Sequence, residues 1–158
     1  MSDKYTKNQL QKQHKYLIVR YLTTLHPLTY FNAFALGYIG QLWKYLQVNK
    51  QKFKRIIIAG DFNSNAIWDE WDRWWNHSNV IHELNEIGIK SLYHSFTGEQ
   101  QGKETKPTFY MNRKIHKPYH IDYIFSSNEF LNNLIDIRLF EVEDWIKISD
   151  HVPMICEF

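Results

Sequence analysis

The sequence predicts a fold in which a β-sheet is packed by helices, of the α/β or α+β class. Three observations carry this. The unbroken apolar run in KRIIIAG (54–60) reads as a strand buried on both faces. GYIGQLWKYLQVNKQ (37–51) places Ile39, Leu42, Trp43 and Leu46 at helical spacing. Strand and helix patterns then alternate to the last residue, with no repeat, low-complexity tract or linker to divide them. At 158 residues, 44% of them apolar and 16% aromatic, the chain is long and apolar enough to bury a core of its own.

In order, residues 1–14 are polar and lysine-rich and read as a disordered tail, with the folded domain expected over 15–158. KYLIVRYL (15–22) reads as a strand. TTLHPLTYFNAFAL (23–36) has aromatics at neither period, and Pro27 interrupts it. After the helix at 37–51 and the strand at 54–60, AIWDEWDRWWNH (66–77) reads as a helix with Trp68, Trp71 and Trp75 on one packed face. Its acids, Asp69, Glu70 and Asp72, suit a helix N-terminus. NVIHELNEIG (79–88) is a second helix, with Asn79 as N-cap and Gly88 just past its end. IKSLYHS reads as a strand, TGEQQGKETK (97–106) as an exposed loop, and PTFYM and HIDYIFSS as strands around the basic turn NRKIHKP. NEFLNNL is a short helix, IDIRLFEV a strand, and ISDHVPMICEF a turn and a final strand.

Composition narrows the setting. No apolar run approaches a membrane span, and no signal-peptide pattern follows the basic N-terminus. Cys156 is the single cysteine, which excludes an internal disulfide and fits a reducing, cytoplasmic compartment. It alternates with Val152 and Met154 and reads as a packed thiol. The net charge of +2 hides an asymmetry. Residues 1–55 carry ten Lys and Arg against Asp3, giving +9, and the remainder nine against sixteen acids, giving −7. Such a basic segment can hold a polyanion, or can simply be a soluble arm.

Three polar groups sit at the ends of apolar strands. In IIIAGDFNSN (56–65), Asp61 and Asn63 follow a buried strand, where they serve equally as turn residues or as presented catalytic groups. In HIDYIF (120–125), Ile121, Tyr123 and Phe125 share one strand face, which leaves Asp122 on the other. A strand aspartate is unfavourable by propensity, and burial without a partner costs several kcal/mol, so Asp122 either pairs, most naturally with a histidine, or faces water on an edge strand. Ser149, Asp150 and His151 form the third group, just before the last strand. Histidines elsewhere make no zinc pattern: Pro118 separates His116 from His120, and His77 and His82 lack matching cysteines or carboxylates.

The order GDFN, HIDYIF, SDH, with an apolar strand closing the chain, resembles the endonuclease/exonuclease/phosphatase family of deoxyribonuclease-I-like phosphoesterases, from about residue 37 to 158. The resemblance implies an α+β fold, the second half of a four-layer α/β/β/α sandwich with mostly antiparallel sheet. It implies a metal-dependent phosphodiester hydrolase, nuclease-like, acting on nucleic acid or another phosphoester. Asp61 would orient or deprotonate the attacking water, and Asn63 would hydrogen-bond that nucleophile or the phosphate. Asp150 would be a ligand of Mg²⁺ or Mn²⁺, and His151 would contact the scissile phosphate while Asp122 holds its other ring nitrogen.

The pattern also departs from the family. Its first half brings an asparagine on the opening strand and a metal-binding glutamate, and neither can be placed: residues 1–69 contain no glutamate, and Asn8 lies in the lysine-rich tail. His26 lies near the place of another active-site residue but without its context. The expectation is a partial domain that holds metal weakly unless substrate or a partner chain completes it. Half a sandwich also exposes apolar sheet, which invites association. The competing expectations are a truncated, inactive relative and a nucleic-acid-binding module that uses the basic N-terminal third.

Overall fold

A computed structural model describes residues 17–18 and 30–158, with side chains from residue 39 onward. The basic tail at 1–14, His26 and all but two residues of the strand expected at 15–22 lie outside the described residues. The elements run β1 (Leu17–Ile18), α1 (Tyr30–Asn49), β2 (Ile57–Asp61), α2 (His77–Glu86), β3 (Ile89–Ser91), α3 (Leu92–Thr97), β4 (Phe109–Tyr110) and β5 (Pro118–Tyr119). They continue with β6 (Asp122–Ser127), α4 (Asn128–Leu131), β7 (Asp136–Leu139), α5 (Val142–Trp145) and β8 (Met154–Glu157).

The main sheet has the order β1-β2-β6-β3, with β1 parallel to β2 and the other pairs antiparallel. The pairs β4–β5 and β7–β8 are antiparallel and separate from it. The architecture is therefore mixed helix and antiparallel sheet. Alternation along β6 sends Tyr123 and Phe125 into one core, where Ile58 and Ile89 meet Leu42 and Leu46 of α1 and Val80 and Leu84 of α2. Ile124 points the other way, into a second cluster of Leu92, Tyr93 and Ile137 with Met154 and Cys156 around it. Both faces of β6 are thus covered, and each fully buried Leu, Ile or Val contributes about 1.5–3 kcal/mol. Burial raises the Cys156 thiol to about 11, as suits packing and not nucleophilic use.

Several elements differ from the sequence expectation. The helix α1 starts at Tyr30, inside the stretch that shows neither period. The tryptophan segment is not a helix: after one 3-10 turn, Ala66–Trp68, it winds through turns, and Trp71 is 97% exposed. The cause is local competition for the backbone. Asn76 accepts from Glu70 N and donates to the carbonyls of Glu70 and Arg73, closing a loop where the helix would have run. Asn76, not Asn79, is the N-cap of α2, and Asn79 accepts from its backbone N–H at 3.1 Å. Asp69 accepts from the first two N–H groups of α2, at 2.9 and 3.2 Å, which gives the dipole argument a specific residue. Gly88 does end α2, with φ of 75°. The loop at 97–106 is not simply solvated, because the side chain of Glu104 is only 4% exposed. No helix among the described residues is long and apolar enough to cross a membrane.

Candidate active site

The strand register assembles the site. β2 and β6 run antiparallel with Asp61 directly opposite Asp122, so two aspartates distant in sequence become cross-strand neighbours, with Cβ atoms about 4.5–5.5 Å apart. Two ionised carboxylates so placed repel, and each is answered by a different partner.

Asp61 is answered by Asn63. The Asn63 backbone N–H donates to one carboxylate oxygen at 2.7 Å, and its side-chain Nδ2 donates to the other at 2.9 Å. This turn requires φ of 45° at Asn63, a left-handed conformation that asparagine adopts more readily than most residues. The two readings of GDFN are therefore both realised: the asparagine makes the turn, and the turn presents Asp61, exposed, at the strand end. The Asp61 carboxyl lies above the ordinary aspartate range, first because surrounding protein displaces its solvent and then because Asp122 is near. The Asn63 bonds and His151 pull the other way.

Asp122 is answered by His151, whose Nδ1 lies 2.9 Å from Asp122 Oδ2. The bond raises the His151 pKa against the opposing effect of burial, and the charges of Asp122, Asp61 and Asp150 add to it. With Nδ1 directed at the carboxylate, Nε2 is the ring nitrogen not engaged by Asp122. The imidazole also lies against the Phe109 ring, with centroids 4.7 Å apart. Ser149 accepts from the His151 N–H at 3.0 Å, and the half-buried Asp150 accepts from Tyr110 N at 2.8 Å through its backbone carbonyl. Asp122, Ser149 and His151 line a cleft of about 320 Å³, whose apolar wall includes Ala59, Ile124 and Trp145.

All five residues picked from the sequence, Asp61, Asn63, Asp122, Asp150 and His151, belong to this corner of the fold. What the sequence reading missed is the splint that holds it. Thr108 is fully buried, and its hydroxyl accepts from both Ile121 N and Asp122 N at 3.0 Å, while its carbonyl accepts from Val152 N at 2.7 Å. One residue thus ties the start of the Asp122 strand to the end of the His151 turn. A threonine between a proline and a phenylalanine carries no periodic signal that would single it out.

A second omission is a buried polar layer beneath the site. Asn65, in the turn after Asp61, donates from Nδ2 to Glu104 at 3.1 Å and to the His120 carbonyl at 2.9 Å, while its Oδ1 accepts from Ile67 N. Glu104 also accepts from Gly102 N and meets His94 Nε2, each at 3.0 Å. Burial alone would raise the Glu104 carboxyl, but these donors lower it to about 2.

The donor set can be tested for a metal. Among the described residues no group of three or more His, Cys, Asp and Glu side chains is placed to hold an ion. Asp61 is engaged by Asn63 and Asp122 by His151, which leaves Asp150 as the carboxylate to offer. These residues do not make a metal site by themselves.

No family model matches the sequence, and no curated protein matches it. Solved structures do. A 3′ phosphatase, NExo, from Neisseria, bound to product DNA hairpin, aligns with a TM-score of 0.53 at 18% identity, over 76% of this chain and 51% of that one. The 3′-5′ exonuclease NExo from Neisseria meningitidis aligns with a TM-score of 0.53 at 20% identity, over the same 76% and 51%. The chain spans about half the length of these structures. At this identity the likeness shows the fold, which is that of the deoxyribonuclease-I-like proteins.

Proposed function

We propose that this chain carries part of the active site of a phosphodiester hydrolase, with nucleic acid as its substrate class. The observation that carries the proposal is the pairing of Asp122 with His151 across a strand register from the Asp61–Asn63 turn. A phosphodiester is anionic and repels a nucleophile, so a catalyst needs a base for water and a positive donor for the phosphate. Asp61, exposed and raised in pKa, is the base, and Asn63 holds its carboxylate in orientation. His151, whose protonation Asp122 favours, donates to a phosphate oxygen through Nε2.

The finer expectations belong to the same proposal. Residues 15–158 are read as the second half of a four-layer sandwich. Mg²⁺ or Mn²⁺ is read as the cofactor, with Asp150 as this chain's contribution. One carboxylate is too few for a preformed site, and such ions are usually held jointly by carboxylates and substrate phosphates, so no step above is routed through the metal. Further ligands would come from outside the described residues, in this chain or in a partner chain. The incomplete donor set also supports a second reading, in which the chain binds nucleic acid without turnover.

The test is a nicking and phosphodiesterase assay with Mg²⁺ or Mn²⁺, run beside Asp61→Ala and His151→Ala. Metal-dependent activity lost in both variants supports the hydrolase. Activity that survives both belongs to a contaminant, and salt-sensitive DNA binding without cleavage favours the second reading.

A further inference from the structure

The loop between α3 and β4 meets the turn after Asp61 directly at two places and a third time through His77. Gln101 Oε1 lies 3.0 Å from His77 Nε2, and His77 Nδ1 lies 3.2 Å from the Ser64 hydroxyl, so the buried imidazole bridges the loop to Ser64. Gly102, with φ of 79°, lies so close to the next turn that a Cβ there would stand 3.3 Å from Ala66 Cβ. Glu104 receives Asn65 Nδ2 on one oxygen, and His94 and Gly102 N on the other. Asn65 and Ala66 are therefore met by Glu104 and Gly102 of the loop, and Ser64 is tied to Gln101 through His77. The grip lies within five residues of Asp61, whose exposed carboxylate takes its hydrogen bonds from Asn63 of the same turn.

We infer that Glu104 is a positioning residue, the keystone of a loop buttress that fixes the turn from Asp61 to Asn65. The inference rests on the proposed role of Asp61 as base. Glu104 touches no part of the cleft, so it acts only through Asn65. The chemistry at position 104 is specific. Asn65 commits Oδ1 to Ile67 N and presents only an N–H₂ to Glu104, so the partner there must accept. A glutamine could keep one acceptor oxygen toward His94 and Gly102, but it would set its own N–H₂ against that of Asn65. The glutamine N–H₂ would then be buried without an acceptor, while Asn65 kept the His120 carbonyl and the Tyr123 hydroxyl. The tie between loop and turn therefore yields before the sheet does. His94 and Gly102 fix the carboxylate from the loop side, which makes Glu104 the joint between two segments that share no backbone pairing.

The experiment is amide hydrogen exchange by NMR on the full chain, without substrate. The Asn63 N–H, bonded to Asp61, reports the turn, and the Ile58 and Phe125 amides report the sheet. In Glu104→Gln, Asn63 exchange is expected to rise about tenfold, the equivalent of one well-made hydrogen bond, with Ile58 and Phe125 unchanged. Gln101→Ala, at the half-buried loop tip, is expected to show a smaller rise in the same place and decides the matter if Glu104→Gln does not fold. Unchanged Asn63 exchange in a folded variant overturns the inference, as does a rise shared equally by the sheet amides. Where the wild type turns over a phosphodiester, Glu104→Gln lowers kcat with little change in KM. A wild type that does not turn over, with the turn loosened in the variant, sinks the hydrolase reading and leaves the buttress standing.

Discussion

His151 Nδ1 lies 2.9 Å from Asp122 Oδ2, joining a turn near the end of the chain to a strand 29 residues earlier. The pair explains both residues together: the aspartate gains the partner a strand carboxylate needs, and the histidine gains a proton it keeps to higher pH. Removing the carboxylate charge should undo the second effect. In Asp122→Asn, the His151 pKa is expected to fall below its wild-type value, as read by imidazole NMR titration. The sign for stability follows from the raised pKa. The pair stabilises the fold fully below the unfolded histidine value, near 6.5, and that contribution is lost as pH rises through the folded value. The variant should flatten this alkaline loss, and any hydrolytic activity should drop by about 10²–10⁴-fold.

The proposed roles also predict a bell-shaped pH profile for hydrolysis. Asp61 works as a base only when ionised, and its raised pKa places the acid limb above the ordinary aspartate range. His151 works as a cation, and its raised pKa carries the alkaline limb above that of a free imidazole. Asp122→Asn should move the alkaline limb to lower pH. A profile flat across both limbs would remove Asp61 and His151 from the reaction.

Thr108 should behave as a splint for the pair and not as a mere core residue. Thr108→Val keeps the shape but leaves the N–H groups of Ile121 and Asp122 without their acceptor, at a cost of about 1–3 kcal/mol in denaturant unfolding. It should also lower the His151 pKa, because Asp122 is no longer held in register. Thr108→Ser, which restores the hydroxyl, should recover the imidazole titration.

Glu104 governs acid sensitivity. Its carboxyl is lowered from 4.5 to about 2, so its contribution to stability is present above the unfolded value and is lost as pH falls from about 4.5 toward 2. Unfolding free energy followed through that window should decline in the wild type. In Glu104→Gln, which has no carboxyl to titrate there, the decline should be shallower.

The packing predicts an unequal response to two large apolar residues. Leu84→Ala, in the core between α2 and the sheet, should cost about 2–5 kcal/mol. Trp71→Ala should change stability by no more than about 0.5 kcal/mol, because the ring stands in solvent. Equal losses from the two would return the tryptophan segment to the core.

Local pattern located the strands expected at 54–60 and 120–127, which form over 57–61 and 122–127, and the helix expected at 79–88, which forms over 77–86. It also located the inward face of Tyr123 and Phe125 and the five polar residues at strand ends. These follow from periodicity and from the poor fit of an unpaired aspartate to a strand, both properties of neighbouring residues. The sequence could say that Asp122 wanted a partner, but not that the partner was placed by a buried threonine hydroxyl. Nor could it show that an apparently solvated loop turns Glu104 inward to grip the turn beside Asp61. The tryptophan segment failed for the opposite reason: its helical spacing was real, but Asn76 bonded the backbone the helix needed. Those outcomes depend on which distant donors and acceptors meet once the sheet has closed. That depends on register and burial, and so only the tertiary structure decided it.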